Sequence, residues 1–320
     1  MCTAIRMVGR HHLFGRTLDL ERSYGEGVVI TPRNFKLSFR HGEVMRHPAI
    51  IGMAYVHEGN PLYFDAMNER GLAMAALNFP KSAVYGEVAA GRMNVASYEI
   101  IPWVLSRASS VREAVRLLES VNVTNESASP ELPATPLHWM ISDKYESVVV
   151  ESVAEGLRVY ENRFGVLTNE PPFPYHEAHM ADYMHLTADV PRNKIAPGVE
   201  ITPYSRGMGA IGLPGDFSSA SRFVRAFFAK SNTNVGGSNM EEVSAFFHVL
   251  GTVSTPSGCV MSESGERVRT VYTSCADTDS MTYYFTTYEN RRVRGVGMRD
   301  EDSDSLRFFD IGRAEDILFL

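Results

Sequence analysis

Nine short apolar segments, rich in β-branched residues, punctuate this chain: 2–7, 27–31, 50–56, 72–77, 137–141, 147–150, 165–168, 268–273 and 281–287. Each is bounded by Gly, Pro, Asn or charged residues, which is the pattern of strands ending in turns. The segments 137–141 and 147–150 flank Ser142-Asp143-Lys144-Tyr145-Glu146 and predict a hairpin. Helical spacing is rarer. Ser110-Val-Arg-Glu113 has the form of a capping box, and Val111, Ala114, Val115 and Leu118 follow as an apolar stripe. A second helix is predicted over 98–107. A third opens at Ser218-Ser219 with Phe223, Ala226 and Phe227 on one face, and a fourth at Ser238 or Asn239, burying Val243, Phe246, Phe247 and Leu250. Strands come in runs instead of alternating with helices, so a layered α+β architecture is expected, not a parallel βαβ one. No repeat, low-complexity stretch or linker divides the chain, and one domain over 1–320 is the expectation.

Charge narrows the partners. Lys and Arg number 31 against 38 Asp and Glu, a formal net charge of -7, which speaks against nucleic acid. The longest acidic run, Asp300-Glu301-Asp302, reads as a solvated turn. An acidic chain must hold any anionic substrate with local cations, because its overall field repels anions. Three cysteines without a CxxC pair, Cys2, Cys259 and Cys275, suit a reducing compartment better than a disulfide framework. The start lacks the apolar region of a secretory signal, and no apolar run approaches the roughly 18 residues of a membrane span. A soluble cytoplasmic protein with no membrane partner is expected.

Several motifs fail on context. Gly207-Met-Gly209-Ala-Ile-Gly212 fits G-x-G-x-x-G, but Leu213-Pro214-Gly215 follows at once and blocks the helix a dinucleotide site requires. His176-Glu-Ala-His179 is one residue short of the H-E-x-x-H zinc helix, and His11-His12 has no ligand spacing. No G-x-S-x-G elbow is present. Neither a metal nor another cofactor is expected.

Cys2 remains. The initiator methionine is readily removed before a small residue, which would leave an α-amine and a thiol on one residue. Free amines and thiols titrate near about 8 and 8.5, close enough to exchange a proton near neutral pH, so the amine could serve as base for its own side chain. Taken alone, Cys2 reads as a buried cysteine on a first strand. Its company changes that reading.

Met1-Cys2-Thr3, Phe14-Gly15-Arg16-Thr17-Leu18-Asp19, Met67-Asn68-Glu69-Arg70-Gly71-Leu72, Ala76-Leu77-Asn78-Phe79-Pro80, Leu137-His138-Trp139, Val166-Leu167-Thr168-Asn169, Leu213-Pro214-Gly215-Asp216-Phe217, Ser221-Arg222-Phe223 and Thr287-Tyr288-Glu289-Asn290 follow one another along the chain. Together they resemble the choloylglycine hydrolase family, most closely its bile salt hydrolases. The resemblance implies a four-layer αββα N-terminal-nucleophile sandwich with two antiparallel sheets. It implies Cys2 as the nucleophile that attacks an amide carbonyl and forms a thioester, with Asp19 orienting the α-amine and Arg16 favouring the thiolate. Asn169, by its side-chain amide, and Asn78, by its backbone N–H, would form the oxyanion hole, and Arg222 would stabilise charge near the sulfur. Leu18, Leu20 and Leu137 are the candidate apolar wall for a fused-ring acyl group. The implied substrates are conjugated bile acids such as glycocholate and taurocholate. Asn78, where penicillin V acylases often carry Tyr, leans toward bile salts. Penicillin V or N-acyl homoserine lactones are the alternative acyl groups, and a non-catalytic binding protein on the same fold is the alternative class. A homotetramer is expected from the resemblance alone.

Overall fold

The structure, a computed structural model, describes residues 1–299 and 301–320. In chain order the strands are β1 (Cys2–Val8), β2 (His12–Leu20), β3 (Gly27–Thr31), β4 (Leu37–Phe39), β5 (Gly42–Val44), β6 (Ile50–His57), β7 (Asn60–Asn68), β8 (Ala73–Asn78), β9 (Met93–Ala96) and β10 (Val121–Thr124). They continue as β11 (Leu137–Ser142), β12 (Ser147–Val153), β13 (Gly156–Glu161), β14 (Val166–Leu167), β15 (Val260–Met261), β16 (Arg267–Asp277), β17 (Thr282–Thr287), β18 (Arg294–Gly297) and β19 (Arg307–Asp310). The α-helices are α1 (Ile100–Leu105), α2 (Val111–Leu118), α3 (Phe173–His179), α4 (Ser219–Asn232) and α5 (Asn239–Gly251).

Two antiparallel sheets hold fifteen of the nineteen described strands. One runs β14-β1-β2-β16-β17-β18, with β15 beside β16, and the other runs β13-β12-β11-β8-β7-β6-β3-β19. The strand period of two sorts each strand's side chains between two environments. On β8, Ala73, Ala75 and Leu77 join the core between the sheets, while Met74 and Ala76 join the core beneath α1 and α2. Helices α4 and α5 cover the outer face of the first sheet, where Phe223 and Phe246 are buried. The order of layers is therefore helix, sheet, sheet, helix, as the α+β expectation requires.

Eight of the nine apolar segments lie wholly or mostly in strands, and half of the ninth, 165–168, forms β14. The predicted hairpin is β11–β12, closed by the pair Ser142 and Ser147. Ser238 caps α5 with a reciprocal box to Glu241. At Ser110 the box does not close: its hydroxyl accepts from Glu113 N, but the Glu113 carboxylate accepts from Ser109 N instead, at 2.7 Å. The acidic run is not wholly a solvated turn either. Glu301 is buried, accepts from Arg299 N at 2.8 Å and pairs with Arg307; Asp302 is exposed, and Asp300 lies outside the described residues.

Candidate active site

The site grows from the central pair of the first sheet. In the antiparallel register Cys2 faces Leu18 and Ala4 faces Arg16, so Cys2, Leu18 and Arg16 share the face turned toward the second sheet. Thr3, Thr17 and Asp19 share the opposite face, beneath α4 and α5. Strand β14 flanks β1 on its other edge, with Ala4 opposite Leu167, and the chain leaving β14 carries Thr168 and Asn169 past Cys2. The structure thus brings Cys2, Arg16, Asp19, Asn78, Asn169 and Arg222 together.

Asn169 is the junction. Its Oδ1 accepts from the Cys2 backbone nitrogen at 2.8 Å and from Arg222 Nη2 at 2.7 Å. Two donors on one side fix which end of the amide is oxygen. Its Nδ2 donates to the Asn78 carbonyl at 2.8 Å, which ties the first sheet to the end of β8 in the second. One N–H of that amide remains for another acceptor. The expected oxyanion donor at Asn78 was its backbone N–H; the bond observed here uses its carbonyl, while the Asn78 side chain shares the outer-facing parity of Ala76.

Arg222 is fully buried on the first turn of α4. It donates through Nη1 to the Cys2 carbonyl and to Thr3 Oγ1 at 2.7 Å, and through Nε to Phe217 O at 3.1 Å. Burial lowers its pKa, and the charges of Asp19 and Cys2 oppose that. Arg16 is also fully buried and crosses the gap between sheets to the carbonyls of Ala76 and Phe64. Burial pulls its guanidinium down, but Cys2, Tyr272, Asp65 and Asp19 together outweigh that and hold it above its ordinary value. Its Nη2 is buried without a partner, a free donor beside the thiol's face of the sheet.

The Asp19 carboxylate accepts from Thr270 Oγ1 at 2.6 Å and Thr17 Oγ1 at 3.1 Å. With Met1 attached, the bond expected between that carboxylate and the Cys2 nitrogen is absent. The Met1 amine instead donates to the Asp19 carbonyl at 2.6 Å, extending the strand ladder by one residue. The peptide nitrogen of Cys2 stands here where an α-amine would be after loss of Met1.

The leucines divide. Leu18, across from Cys2, is buried, and Leu20 is half-buried against the same core. Leu137 shares the outward parity of Trp139 and Ile141 and packs toward α1 and α2. Strand alternation sets its side chain toward that outer core, so the structure does not bring it beside Cys2 as it does Leu18. A bulge in β7 leaves Phe64 as the extra residue, its carbonyl toward Arg16 and its ring 6.1 Å from that of half-exposed Tyr24. These aromatics were not foreseen.

Other parts of the frame also went unforeseen. Asp65, buried between the sheets, accepts from Tyr272 and Tyr283 hydroxyls at 2.6 Å each and from Ser274 Oγ at 2.8 Å. Burial raises its pKa, and Arg16 opposes the rise. Ser274 Oγ also receives Arg16 N at 3.1 Å. Ser219 accepts from Asn169 N at 2.8 Å and donates to Thr168 Oγ1 at 2.9 Å, joining α4 to the β14 exit. Ser219 had a signal as part of the predicted helix start, and Thr168 as part of the motif that carries Asn169.

Of the rejected motifs, only His176 reaches the site, and it does so as a support and not as a ligand. Residues 207–212 form a loop with one 3-10 turn, Met208–Ala210. His11 Nδ1 bonds Asp277 at 2.8 Å and Lys144 holds Asp279 at 2.7 Å, so those contacts account for the one His–Asp–Asp cluster among the described residues. His176 is buried, its Nε2 on Asn169 O at 3.0 Å, and His179 bonds Asp182. No helix among the described residues is long and apolar enough to cross a membrane.

Residues 2–309 match the family of linear amide C–N hydrolases known as the choloylglycine hydrolase family. The bile salt hydrolase/transferase of Lactiplantibacillus plantarum is 45% identical over 306 residues, covering 95% of this chain and 94% of that protein. A crystal structure of a variant of the conjugated bile acid hydrolase from Clostridium perfringens superposes with a TM-score of 0.92 at 34% identity, covering 100% of both chains. The penicillin V acylase of Agrobacterium tumefaciens shares the fold, with a TM-score of 0.77 at 22% identity over 97% of this chain and 92% of that one.

Proposed function

The chain belongs to the choloylglycine hydrolase family of linear amide C–N hydrolases, and from that membership we propose that it cleaves the amide of glycine- or taurine-conjugated bile acids with Cys2. The observation that carries the mechanism is the Asn169 junction: one side chain touches the Cys2 nitrogen, Arg222 and Asn78 at once. The choice of bile acids over other amides is supported by the 45% identical relative, whose name states that activity.

In the proposed cycle, loss of Met1 converts the Cys2 peptide nitrogen into an amine that still donates to Asn169 Oδ1. Its lone pair takes the thiol proton as Sγ attacks the carbonyl. The S–C bond forms, the C=O π pair moves onto oxygen, and the free N–H of Asn169 Nδ2 faces that oxyanion. Collapse breaks the C–N bond, and the amine returns its proton to the leaving nitrogen. Water then attacks the thioester carbon and gives its proton to the amine; the C–S bond breaks, the proton passes to sulfur, and bile acid and the Cys2 thiol are released. Arg16 and Arg222 stabilise thiolate and oxyanion from within a dry site, where a fixed charge acts more strongly than in water. The carboxylate of Asp19, held by two threonine hydroxyls, offsets those cations and turns toward the amine once Met1 is gone. Leu18 and Leu20, with Phe64 and Tyr24, offer apolar surface on the thiol's side. The proposal takes 1–320 as one catalytic domain in a cytoplasmic homotetramer without cofactor. The unpaired Cys2, Cys259 and Cys275 suit that compartment, and the tetramer rests on the family resemblance.

The test is release of free amine from glycocholate, taurocholate and penicillin V by purified protein beside Cys2→Ala. Cleavage of bile salts in preference to penicillin V, lost in the variant, is the expected result. Preference for penicillin V would overturn the substrate assignment, and no cleavage by protein that begins at Cys2 would overturn the reading as a whole.

A further inference from the structure

A buried histidine–glutamate pair behind the site has no part in the chemistry above. His138, on the inward face of β11, is fully buried, as is Glu151 on β12. His138 Nε2 lies 2.9 Å from Thr168 O, and a carbonyl only accepts, so that nitrogen carries a hydrogen. Nδ1 lies 3.1 Å from Glu151 Oε1, which also receives Phe173 N at 3.0 Å. A lone pair on Nδ1 facing a carboxylate oxygen would repel it, so the geometry requires a proton between the two, whichever atom holds it. The ring is stacked on Phe79, centroids 4.3 Å apart and planes 6° from parallel.

Two of these contacts end one residue from an asparagine of the site. Thr168 precedes Asn169, whose amide supplies the free N–H, and Phe79 follows Asn78, whose carbonyl orients that amide. Glu151, through Phe173 N, also fixes the start of α3, and α3 returns His176 Nε2 to the Asn169 carbonyl at 3.0 Å. Asn169 is thereby gripped before and after its own side chain, and Asn78 is pressed from one side. We propose that His138 and Glu151 are positioning residues that set the angle of the oxyanion donor at Asn169 against Asn78. Neither touches the substrate. The inference rests on the amidase reading above, because it concerns the donor for that reaction's oxyanion.

A misaligned donor weakens the transition state and leaves ground-state binding alone, so the loss belongs in kcat. The experiment compares wild type with His138→Phe, which keeps the stack on Phe79 and deletes the donor to Thr168 O. It also uses Glu151→Gln, which keeps an acceptor for Phe173 N and removes the acid. Three quantities are read: kcat and KM on glycocholate, affinity for free cholate, and affinity for the aldehyde in which –CHO replaces the amide group. Cys2 Sγ adds to that aldehyde carbon while its oxygen takes the thiol proton, giving a tetrahedral hemithioacetal seated in the same oxyanion site; affinity is read from this rapid, reversible phase, before the α-amine displaces that oxygen as water and closes a thiazolidine.

The expected result is kcat lower by about 10- to 100-fold in His138→Phe and about 3- to 10-fold in Glu151→Gln, with aldehyde affinity falling in step and KM and cholate affinity within about twofold. If aldehyde affinity holds while kcat falls, or KM and cholate affinity move with it, the pair only supports the fold and the proposal is overturned. Should His138→Phe fail to fold, Glu151→Gln carries the same comparison alone. Wild type that neither cleaves glycocholate nor binds the aldehyde overturns the amidase reading and this inference with it. Wild type that does both while the variants match it overturns this inference only.

Discussion

At the residue scale the account depends on Asn169, which the chain holds at 8% exposure with three partners of different kinds. Asn169→Ala removes the acceptor for the nucleophile's nitrogen, a partner of the buried Arg222 and the free amide donor together. Steady-state kinetics on glycocholate are predicted to show kcat lower by about 10²–10³-fold, the usual effect of losing one oxyanion donor, with a smaller change in KM. A variant with unchanged kcat would remove Asn169 from the reaction. Much of this site was legible, because Cys2, Arg16, Asp19, Asn78, Asn169 and Arg222 all sit in short local motifs. Thr270 and Asp65 were not. Thr270 reaches Asp19 across 251 positions of sequence, and nothing local at either residue signals a bond that only the β16–β2 pairing creates. Leu137 lies beside Asn78 across the ladder and shares its outward parity, a placement that only the strand pairing defines.

At the element scale, β2 is the instructive case. Arg16, Thr17 and Asp19 break the apolar pattern that identified other strands, so His12–Leu20 did not read as one. The charges are tolerated in a buried strand because each is hydrogen-bonded: Arg16 to carbonyls of the second sheet, with only Nη2 left over, and Asp19 to two hydroxyls. The polar interruption that hid the strand is the site itself. Helix α4 shows the converse, since its start was legible from Ser218. That hydroxyl accepts from Ser221 N at 3.3 Å, while Asp216 accepts from Ser218 N at 2.8 Å and Ser221 Oγ at 2.6 Å. Hydrogen bonds from Ser218 and Ser221 lower the Asp216 carboxyl to about 2. Ser218→Ala is expected to cost about 1 kcal/mol of stability in a denaturant titration, a typical cap value. Because Arg222 sits on this first turn, the same variant should also lose some activity. Loss of stability with unchanged activity would show that the cap does not position Arg222.

At the scale of the molecule, two sheets and their helical covers enclose histidines that stay neutral. Burial lowers His12 and His176 to about 4 each, from an ordinary 6.5. The unfolded chain therefore binds more protons than the native one between about pH 6.5 and 4, so native stability is full above that window and declines as pH falls through it. Thermal melts across the window should show a falling midpoint, with a combined loss on the order of a few kcal/mol. A midpoint flat down to pH 4 would contradict the burial of both rings. The layer order was legible because strands in runs, with few helices, leave few ways to bury two faces of each sheet. The pairing of distant strands was not, because register is a property of partners and not of a segment.

The central claim is that Cys2, freed as the first residue, carries the acyl group. The direct test is the intact mass of the purified protein before and during turnover, with glycocholate and a rapid acid quench, followed by peptide mapping. The account predicts a chain lacking Met1 and a quenched species heavier by one cholyl group, with the thioester on the peptide that begins at Cys2. Active protein that retains Met1, or an acyl group mapped to any other residue, would contradict it.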